Sequence, residues 1–312
     1  MMGRSARKKM ALPILLILVM MISGCGIASS YRPADKKTIR DFATSDTYRK
    51  RIGVLVLTNS TAFTSDQIAA TFMDTFLSSL KEAVPNAQVM LPDGNENTPF
   101  LRNPPRIGNG DIDVFSLSSQ ARQAGMNAVV SPIIMDIRGS KKDTGFWFFR
   151  DVSYILQIQT AAAAYDTITG SRLALGILTE KIDISEQQYE MIKSGREIEF
   201  DDLVDVAKEM GDRLGKQLGD AVNQSNWMTS LISVNDGNCG MPAGSEAGIK
   251  PGDRFSVLDA SSILTGLNGQ RFIVPGIKIG EITIERVTEQ TAFGKADADS
   301  PPPVGSILVP GP

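Results

Sequence analysis

Two hydrophobic periods alternate along the first two-thirds of this chain. Arg51–Leu57 is an apolar run without alternation, which predicts a strand buried on both faces. Polar residues follow, and Thr64-Ser65-Asp66-Gln67 then reads as a capping box, a hydroxyl serving one orphan amide and Gln67 reaching back. Beyond it Ile68, Phe72, Met73, Phe76, Leu77 and Leu80 recur at helical spacing, and Pro85 ends the pattern. Ala87–Leu91 reads as a short second strand, so this stretch predicts a β-α-β unit with parallel strands. Residues 92–110 are rich in Pro, Gly and Asn and read as loop. Asp111 or Asp113 caps a helix carrying Val114, Leu117, Ala121 and Ala124, stopped by Gly125.

Asn127–Ile137 is another apolar strand. Pro132 interrupts it, which favours an edge or a bulge there. Residues 139–150 read as a turn with an aromatic arm. Val152–Tyr165 and Arg172–Ile184 are long strands joined through Asp166-Thr167-Ile168-Thr169-Gly170, with Gly170 supplying a positive φ. From Asp201 to Asn223 a helix repeats Leu203, Ala207, Met210, Leu214, Leu218 and Val222, a narrow seam that packs on the sheet or on a neighbour. After Trp227 helical periods stop and glycines become denser. Strands are expected around Val257 and at Ile277–Val287, Ala292–Ala298 and Ile307–Val309. The predicted architecture is therefore α/β, a mixed sheet with a βαβ unit and flanking helices over 51–226. A small all-β carboxy-terminal module over 227–312 follows it.

The amino terminus carries an address. Arg4, Arg7, Lys8 and Lys9 precede the 13-residue run Met10–Ile22, too short to span a bilayer comfortably but of signal-peptide length. Ile22-Ser23-Gly24-Cys25 resembles the bacterial lipobox, an aliphatic residue, two small residues and the cysteine whose thiol receives diacylglycerol. That resemblance implies a signal peptide over 1–24, a lipid (diacylglycerol and palmitate) on Cys25 and a lipidated tether over 25–50. Gly26, rather than Asp, follows the cysteine, which by the enterobacterial sorting rule implies the periplasmic face of the outer membrane. Three acyl chains at ~0.8 kcal/mol per buried CH₂ make such an anchor effectively permanent.

Charge divides the mature chain. Removing four basic and no acidic residues takes the net charge from −3 to −7. Residues 26–51 carry seven basic and three acidic residues, which leaves 52–312 at net −11. A basic stalk beside an anionic bilayer is one reading of that asymmetry, and a polar linker of accidental sign is the other.

Composition removes most chemistry. The 312 residues include no histidine, which excludes Ser-His-Asp and Cys-His catalysis and the commonest metal ligand. Two cysteines, Cys25 and Cys239, allow neither a disulfide framework nor a Cys₄ zinc site. A pI of about 5.3 argues against nucleic acid. The expectation is a protein that is not an enzyme and has no metal or cofactor.

Short motifs do not change this. Gly211-Asp212-Arg213-Leu214-Gly215-Lys216 continues with Gln217 where a P-loop needs Ser or Thr, and lies inside a helix, so it reads as a charged helix face. Ser78-Ser79-Leu80-Lys81 has S-x-x-K spacing without the partner motifs. Asp93-Gly94-Asn95-Glu96-Asn97 starts like a calcium loop but places Thr98 and Pro104 where Gly and Glu are required. Glu197, Glu199, Asp201 and Asp202 suit a helix start better than a carboxylate pair for hydrolysis. Cys239 is either a small buried residue or one half of an intermolecular disulfide.

The most informative stretch is Gly145-Phe146-Trp147-Phe148-Phe149-Arg150. Four consecutive aromatics in a strand point to both faces, so one-sided burial does not account for them all. One reading is a docking arm in which Phe146, Trp147, Phe148, Phe149 and Arg150 form a binding surface, since aromatics and Arg anchor interfaces. The other is a strand sandwiched inside its own domain.

Three segments carry a family resemblance. They are the Arg51–Leu91 unit with Ala121-Arg122-Gln123-Ala124-Gly125-Met126-Asn127, the Tyr154–Ile158 strand leading to Tyr165-Asp166-Thr167-Ile168-Thr169-Gly170, and Ala247-Gly248-Ile249-Lys250-Pro251-Gly252-Asp253 with Gly276–Ile284. The first two resemble the α/β domain of the curli secretion lipoprotein, the amino-terminal domain of the Tol-system translocation protein B and the middle domain of flagellar assembly protein T. The third resembles the carboxy-terminal β module of flagellar assembly protein T; the turn Gly248–Asp253 is also similar to one in PDZ domains. No pair of long alternating membrane hairpins is present, which argues against a curli-type pore. The resemblance implies a non-enzymatic, lipid-anchored structural or assembly protein of a cell-envelope machine. Other envelope proteins are the expected partners, flagellar basal-body ring components among them, together with copies of the chain itself in a homo-oligomer. The alternative is an envelope binding module for peptidoglycan, polysaccharide or peptide.

Overall fold

The computed structural model describes residues 48–61, 65–92, 98–146, 149–194, 201–235, 237–267, 269–297 and 301–311. These fall within one compact unit, Thr38–Pro312. Among the described residues the protein is a mixed α/β structure with several sheets, four helices and about 41% strand. No described helix is long and apolar enough to cross a membrane.

The larger α/β part is built on a six-stranded sheet. Its strands are β1 (Arg51–Val54), β2 (Thr58–Asn59), β3 (Gln88–Met90), β4 (Ala128–Phe146), β5 (Phe149–Asp166) and β6 (Arg172–Ile184), in the order β3-β1-β4-β5-β6 with β2 also on β4. β1 is parallel to both β3 and β4, whereas β4, β5 and β6 are antiparallel. Ile52 and Val54 are fully buried, as an apolar central strand requires. Pro132, which has no N–H to give, sits on β4 between the stretch paired with β1 and the stretch paired with β2. The register against β5 then shifts between Ile134 and Asp136, a bulge at Met135.

Helix α1 (Asp66–Ala83) and helix α4 (Asp201–Gln224) cover one sheet face. The α1 cap is Ser65, whose hydroxyl accepts from the Ile68 N–H, and the helix starts at Asp66. Thr64 lies outside the described residues. Ile68, Phe72, Phe76 and Leu80 of α1 and Leu203, Met210, Leu214, Leu218 and Val222 of α4 share one core with Leu156, Ile158 and Ala162 of the sheet. The two helices approach closely because Gly211, Gly215 and Gly219 turn toward α1. In the P-loop-like stretch Asp212, Arg213 and Lys216 form the exposed charged face, while Gly211 and Gly215 are buried spacers. Ser79, the second serine of the S-x-x-K spacing, donates to the Asp212 carboxylate across this crossing.

Helix α2 (Val114–Gln123) lies on the opposite face, where Leu117 and Ala121 pack with Leu55, Phe100, Leu101, Met126 and Val129. Asp113 is its cap: Oδ1 accepts from the Ser116 N–H at 3.1 Å and Oδ2 from the Ser116 hydroxyl at 2.6 Å. The Ser116 hydroxyl above all holds the Asp113 carboxyl below the usual range. Helix α3 (Glu186–Lys193) follows β6 and is closed by a full capping box between Ser185 and Gln188.

From Thr229 onward the described residues form strands and a 3-10 turn. A seven-stranded antiparallel sheet has the order β7-β15-β10-β13-β14-β9-β8. These are β7 (Thr229–Ser230), β8 (Ser233–Asn235), β9 (Asn238–Met241), β10 (Arg254–Leu258), β13 (Lys278–Val287), β14 (Ala292–Ala296) and β15 (Ile307–Pro310). β7 and β8 are two ends of one segment. Leu231 N–H bonds Ser306 O and Ile232 N–H bonds Gly240 O, so the sheet closes on itself. Phe255, Val257, Ile282, Ile284, Met241 and Cys239 fill its interior. A separate hairpin, β11 (Ser262–Thr265) with β12 (Arg271–Val274), leaves this sheet. It reaches the α/β part, where Ile273 N–H bonds Thr169 O and the Arg271 guanidinium stacks 4.1 Å from the Phe115 ring centroid.

The two parts meet over an apolar seam of Ile168, Met228, Leu258, Ile273, Ile307 and Val309. Asn127 donates to Met228 O at 2.8 Å across it.

Candidate functional site

Phe146 and Phe149 stand at the end of the longest hairpin among the described residues. β4 continues to Phe146 and β5 begins at Phe149, so 139–146 is strand rather than turn. Gly139, Ser140, Lys141 and Lys142 suggest a break locally. Their pairing with Leu156, Ile155, Tyr154 and Ser153 overrides that preference. Phe146 pairs with Phe149, and Gly145 with Arg150. Trp147 and Phe148 lie outside the described residues, and so does Cys25.

This hairpin extends beyond its sheet. β6 pairs with β5 only up to Tyr154 opposite Ile184, and β4 has no described partner on its other side beyond Ile134. From Lys142–Ser153 to Phe146–Phe149 the two strands pair only with one another, an arm about 17 Å long at ~3.4 Å per residue. A two-stranded ribbon is marginal alone in water, so its base matters.

That base is buttressed by α3. Tyr154 donates its hydroxyl to Glu186 Oε1 at 2.6 Å, and its ring lies 5.1 Å from that of Tyr189 and 5.6 Å from Lys141 Nζ. The Glu186 hydrogen bond, ahead of burial, pushes the Tyr154 phenol up to about 12. Gly139 supplies the room for α3, since a β-carbon there would lie 3.1 Å from the Tyr189 ring. Sequence pattern singles out the aromatics but not this support. A signal for it is present in Ser185-Glu186-Gln187-Gln188, a cap followed three residues later by Gln.

The chain enters the described body at the other end of the sheet. Tyr48 packs its ring 4.9 Å from Trp227 and 5.6 Å from Phe255, and donates its hydroxyl to Asp253 Oδ2 at 2.9 Å. Burial, with the Asp253 bond behind it, pushes this phenol up. Trp227 Nε1 donates to Arg49 O, and Arg49 N–H to Ala247 O. Lys50 Nζ donates to the carbonyls of Val222, Asn223 and Ser225, where its charge suits the end of α4. Ile52 then pairs with Ala128 at the start of β4. The 19 residues of β4 place Phe146 about 60 Å further along the sheet at ~3.3 Å per residue.

Other candidates fall apart or fall outside. Glu197, Glu199 and the Asp93–Asn97 stretch lie outside the described residues, and Asp201 and Asp202 occupy the first turn of α4. Among the described residues no cluster of three or more acidic or cysteine side chains could hold a metal. Cys239 is 1% exposed inside the closed sheet, and burial pushes its thiol up.

No family model matches the chain, and no curated protein matches it. Among solved structures it is similar to the PelC dodecamer from Paraburkholderia phytofirmans, at 12% identity and TM-score 0.30 over 55% of this chain and 89% of that one. It is similar to lipoprotein GNA1162 from Neisseria meningitidis, at 15% identity and TM-score 0.28 over 46% of this chain and 93% of that one. It is also similar to the hypothetical protein CT253 from Chlamydia trachomatis, at 12% identity and TM-score 0.31 over 56% and 96%. The resemblance to flagellar assembly protein T rests on the sequence motifs alone.

Proposed function

We propose that this chain is a lipid-anchored, non-enzymatic scaffold of the bacterial envelope, held on the periplasmic face of the outer membrane through Cys25. In this reading it docks another envelope protein through the aromatic tip of the β4–β5 arm. Residues 51–226, with the parallel β1 and β3 on either side of α1, are the assembly domain, and 227–312 are a small all-β module. The machine it serves is a flagellar basal-body ring, as the sequence resemblance implies.

The observation that carries the reading is the placement of two ends. The described residues begin at Tyr48, beside the start of the sheet, while Phe146, the last residue of β4, lies about 60 Å further along the same sheet. An anchor at one end and an arm paired only with itself at the other suit a part that spans a gap. The Phe-Trp-Phe-Phe-Arg composition suits a buried interface better than a solvated loop.

Metabolic palmitate labelling of the wild-type chain and of Cys25→Ser tests the anchor, with label expected only in the wild type. A photo-crosslinking residue at position 147 tests the arm. The expected adduct is an envelope protein or a second copy of the chain, lost when Phe146 and Phe149 are both changed to Ser. Absence of label overturns the anchor. Absence of any adduct, with motility and envelope integrity unchanged in a deletion strain, overturns the docking role.

A further inference from the structure

A second surface, independent of the arm, lies where the α/β part meets the closed sheet. A groove of about 450 Å³ opens between β3, the end of α2 and the Gln290-Thr291 turn. That volume is within the range of small-ligand sites. Its polar lining is dominated by neutral amides: Gln88, Gln120, Gln123 and Gln290. The side chains of Gln120, Gln123 and Gln290 form no hydrogen bond with any described residue, although each offers two donors and an acceptor.

The single ion on the floor is already satisfied. Arg51 donates from Nε to Gln88 Oε1 at 3.1 Å, from Nη1 to Ala124 O at 3.1 Å and from Nη2 to Glu246 Oε2 at 3.0 Å. Two consequences follow. The guanidinium is neutralised by Glu246, so the groove has no free charge to attract a phosphate or carboxylate. And because Nε–H needs an acceptor, the Gln88 oxygen is fixed inward and its NH₂ is left as a donor for the groove.

Met90, Pro99, Ile232 and Pro242 supply the apolar part of the wall. Convergent amides beside flat apolar surface match a pyranose ring, which has hydroxyls on its rim and C–H groups on its face. Amide side chains also pair with acetamido groups, donor to carbonyl and carbonyl to N–H. An extended peptide fits less well. β3 is the edge strand of its sheet, but it lines the groove with the side chains of Gln88 and Met90, whose backbone groups turn to β1; Val89, whose N–H and C=O face the open edge, is not part of the lining.

We infer that this groove binds an uncharged oligosaccharide of N-acetylated amino sugars. The test is calorimetric titration of the full lipidated chain, in detergent micelles, with tetra-N-acetylchitotetraose. Saturable binding is expected, weakened about tenfold or more in the double variant Gln123→Ala, Gln290→Ala, the loss expected for a few hydrogen bonds. Both glutamines are exposed, so melting temperature should not move. No saturable heat at about 10 mM sugar, binding indifferent to the double variant, or tighter binding of an uncharged tetrapeptide would each overturn the inference. The arm plays no part, so Trp147→Ala should leave this titration unchanged whatever becomes of docking.

Discussion

Gly211 of α4 rests against the backbone of Phe72 in α1: a β-carbon on Gly211 would stand 2.5 Å from the Phe72 carbonyl oxygen. Real β-carbons do not approach so closely, so Gly211→Ala must push the helices apart. Alanine gains roughly 1 kcal/mol of helix propensity over glycine, while overpacking a tight core loses about 1–3 kcal/mol. The backbone oxygen cannot swing away as a side chain would, so packing decides the sign. Gly211→Ala is expected to lower unfolding free energy by ~1–2 kcal/mol in urea denaturation, against the propensity trend. An unchanged or raised midpoint would mean that the crossing yields more easily than this contact implies.

Much of this part of the fold is legible from local pattern. The spacing of Ile68, Phe72, Phe76 and Leu80, and of Leu203 to Val222, predicts the buried faces of α1 and α4, because one-sided burial at 3.6 residues per turn leaves its period in the sequence. Gly170, at φ +73°, closes its hairpin as the turn composition implies. What is not legible depends on contacts between distant residues. Gly211 and Gly215 read as part of a charged helix face because nothing local names α1 as their neighbour. Residues 139–146 read as a turn because the strand that rescues them comes later in the chain. The amide groove draws on positions 88, 120, 123 and 290, which no window of sequence brings together.

Gly125 tests the seam between the two parts. It ends α2 with φ +73°, and a β-carbon there would collide with the Pro242 carbonyl oxygen. Any L-residue meets a backbone penalty of about 1 kcal/mol at this φ, before the collision is counted. Gly125→Ala is therefore expected to destabilise by ~2–4 kcal/mol in urea unfolding, combining strain and overpacking. Thermolysin cleavage near Pro242, followed by mass spectrometry, should rise in the variant if the seam is what opens.

Cys239 offers a readout of the closed sheet. Its side chain is packed among Met241, Phe255 and Ile284, and its thiol is pushed up by burial. Thiolate is the reacting form, so modification of the folded protein by a maleimide at pH 7 should be slow and should accelerate with urea along the unfolding curve. Rapid stoichiometric labelling of the native protein, or a disulfide-linked dimer on non-reducing gels, would contradict this placement.

Asp166 gives a pH dependence with a defined sign. Its carboxyl is buried at the start of the β5–β6 turn and accepts from Ile168 N–H at 3.0 Å, Thr169 N–H at 3.3 Å and the Thr169 hydroxyl at 2.6 Å. Burial raises its pKa above the usual carboxylate range, outweighing the stabilising hydrogen bonds and the nearby Arg122. Between the ordinary value of 3.8 and the raised one, the folded chain holds a proton that the unfolded chain has released. Stability from this group is thus fully present below the ordinary value and declines as pH rises through that window. The substitution Asp166→Asn removes the charge: with Oδ1 kept toward Ile168 N–H, the NH₂ it introduces can donate to Thr169 Oγ1, which passes its own hydrogen to the Ser171 hydroxyl 2.8 Å away, at the loss of the long 3.3 Å bond from Thr169 N–H. Urea unfolding of both proteins from pH 3 to 7 should show Asp166→Asn within about 1 kcal/mol of wild type at pH 3, and gaining on it as pH rises. A wild-type advantage that grows with pH would mean instead that the turn's donors, and not burial, set the ionisation of this carboxylate.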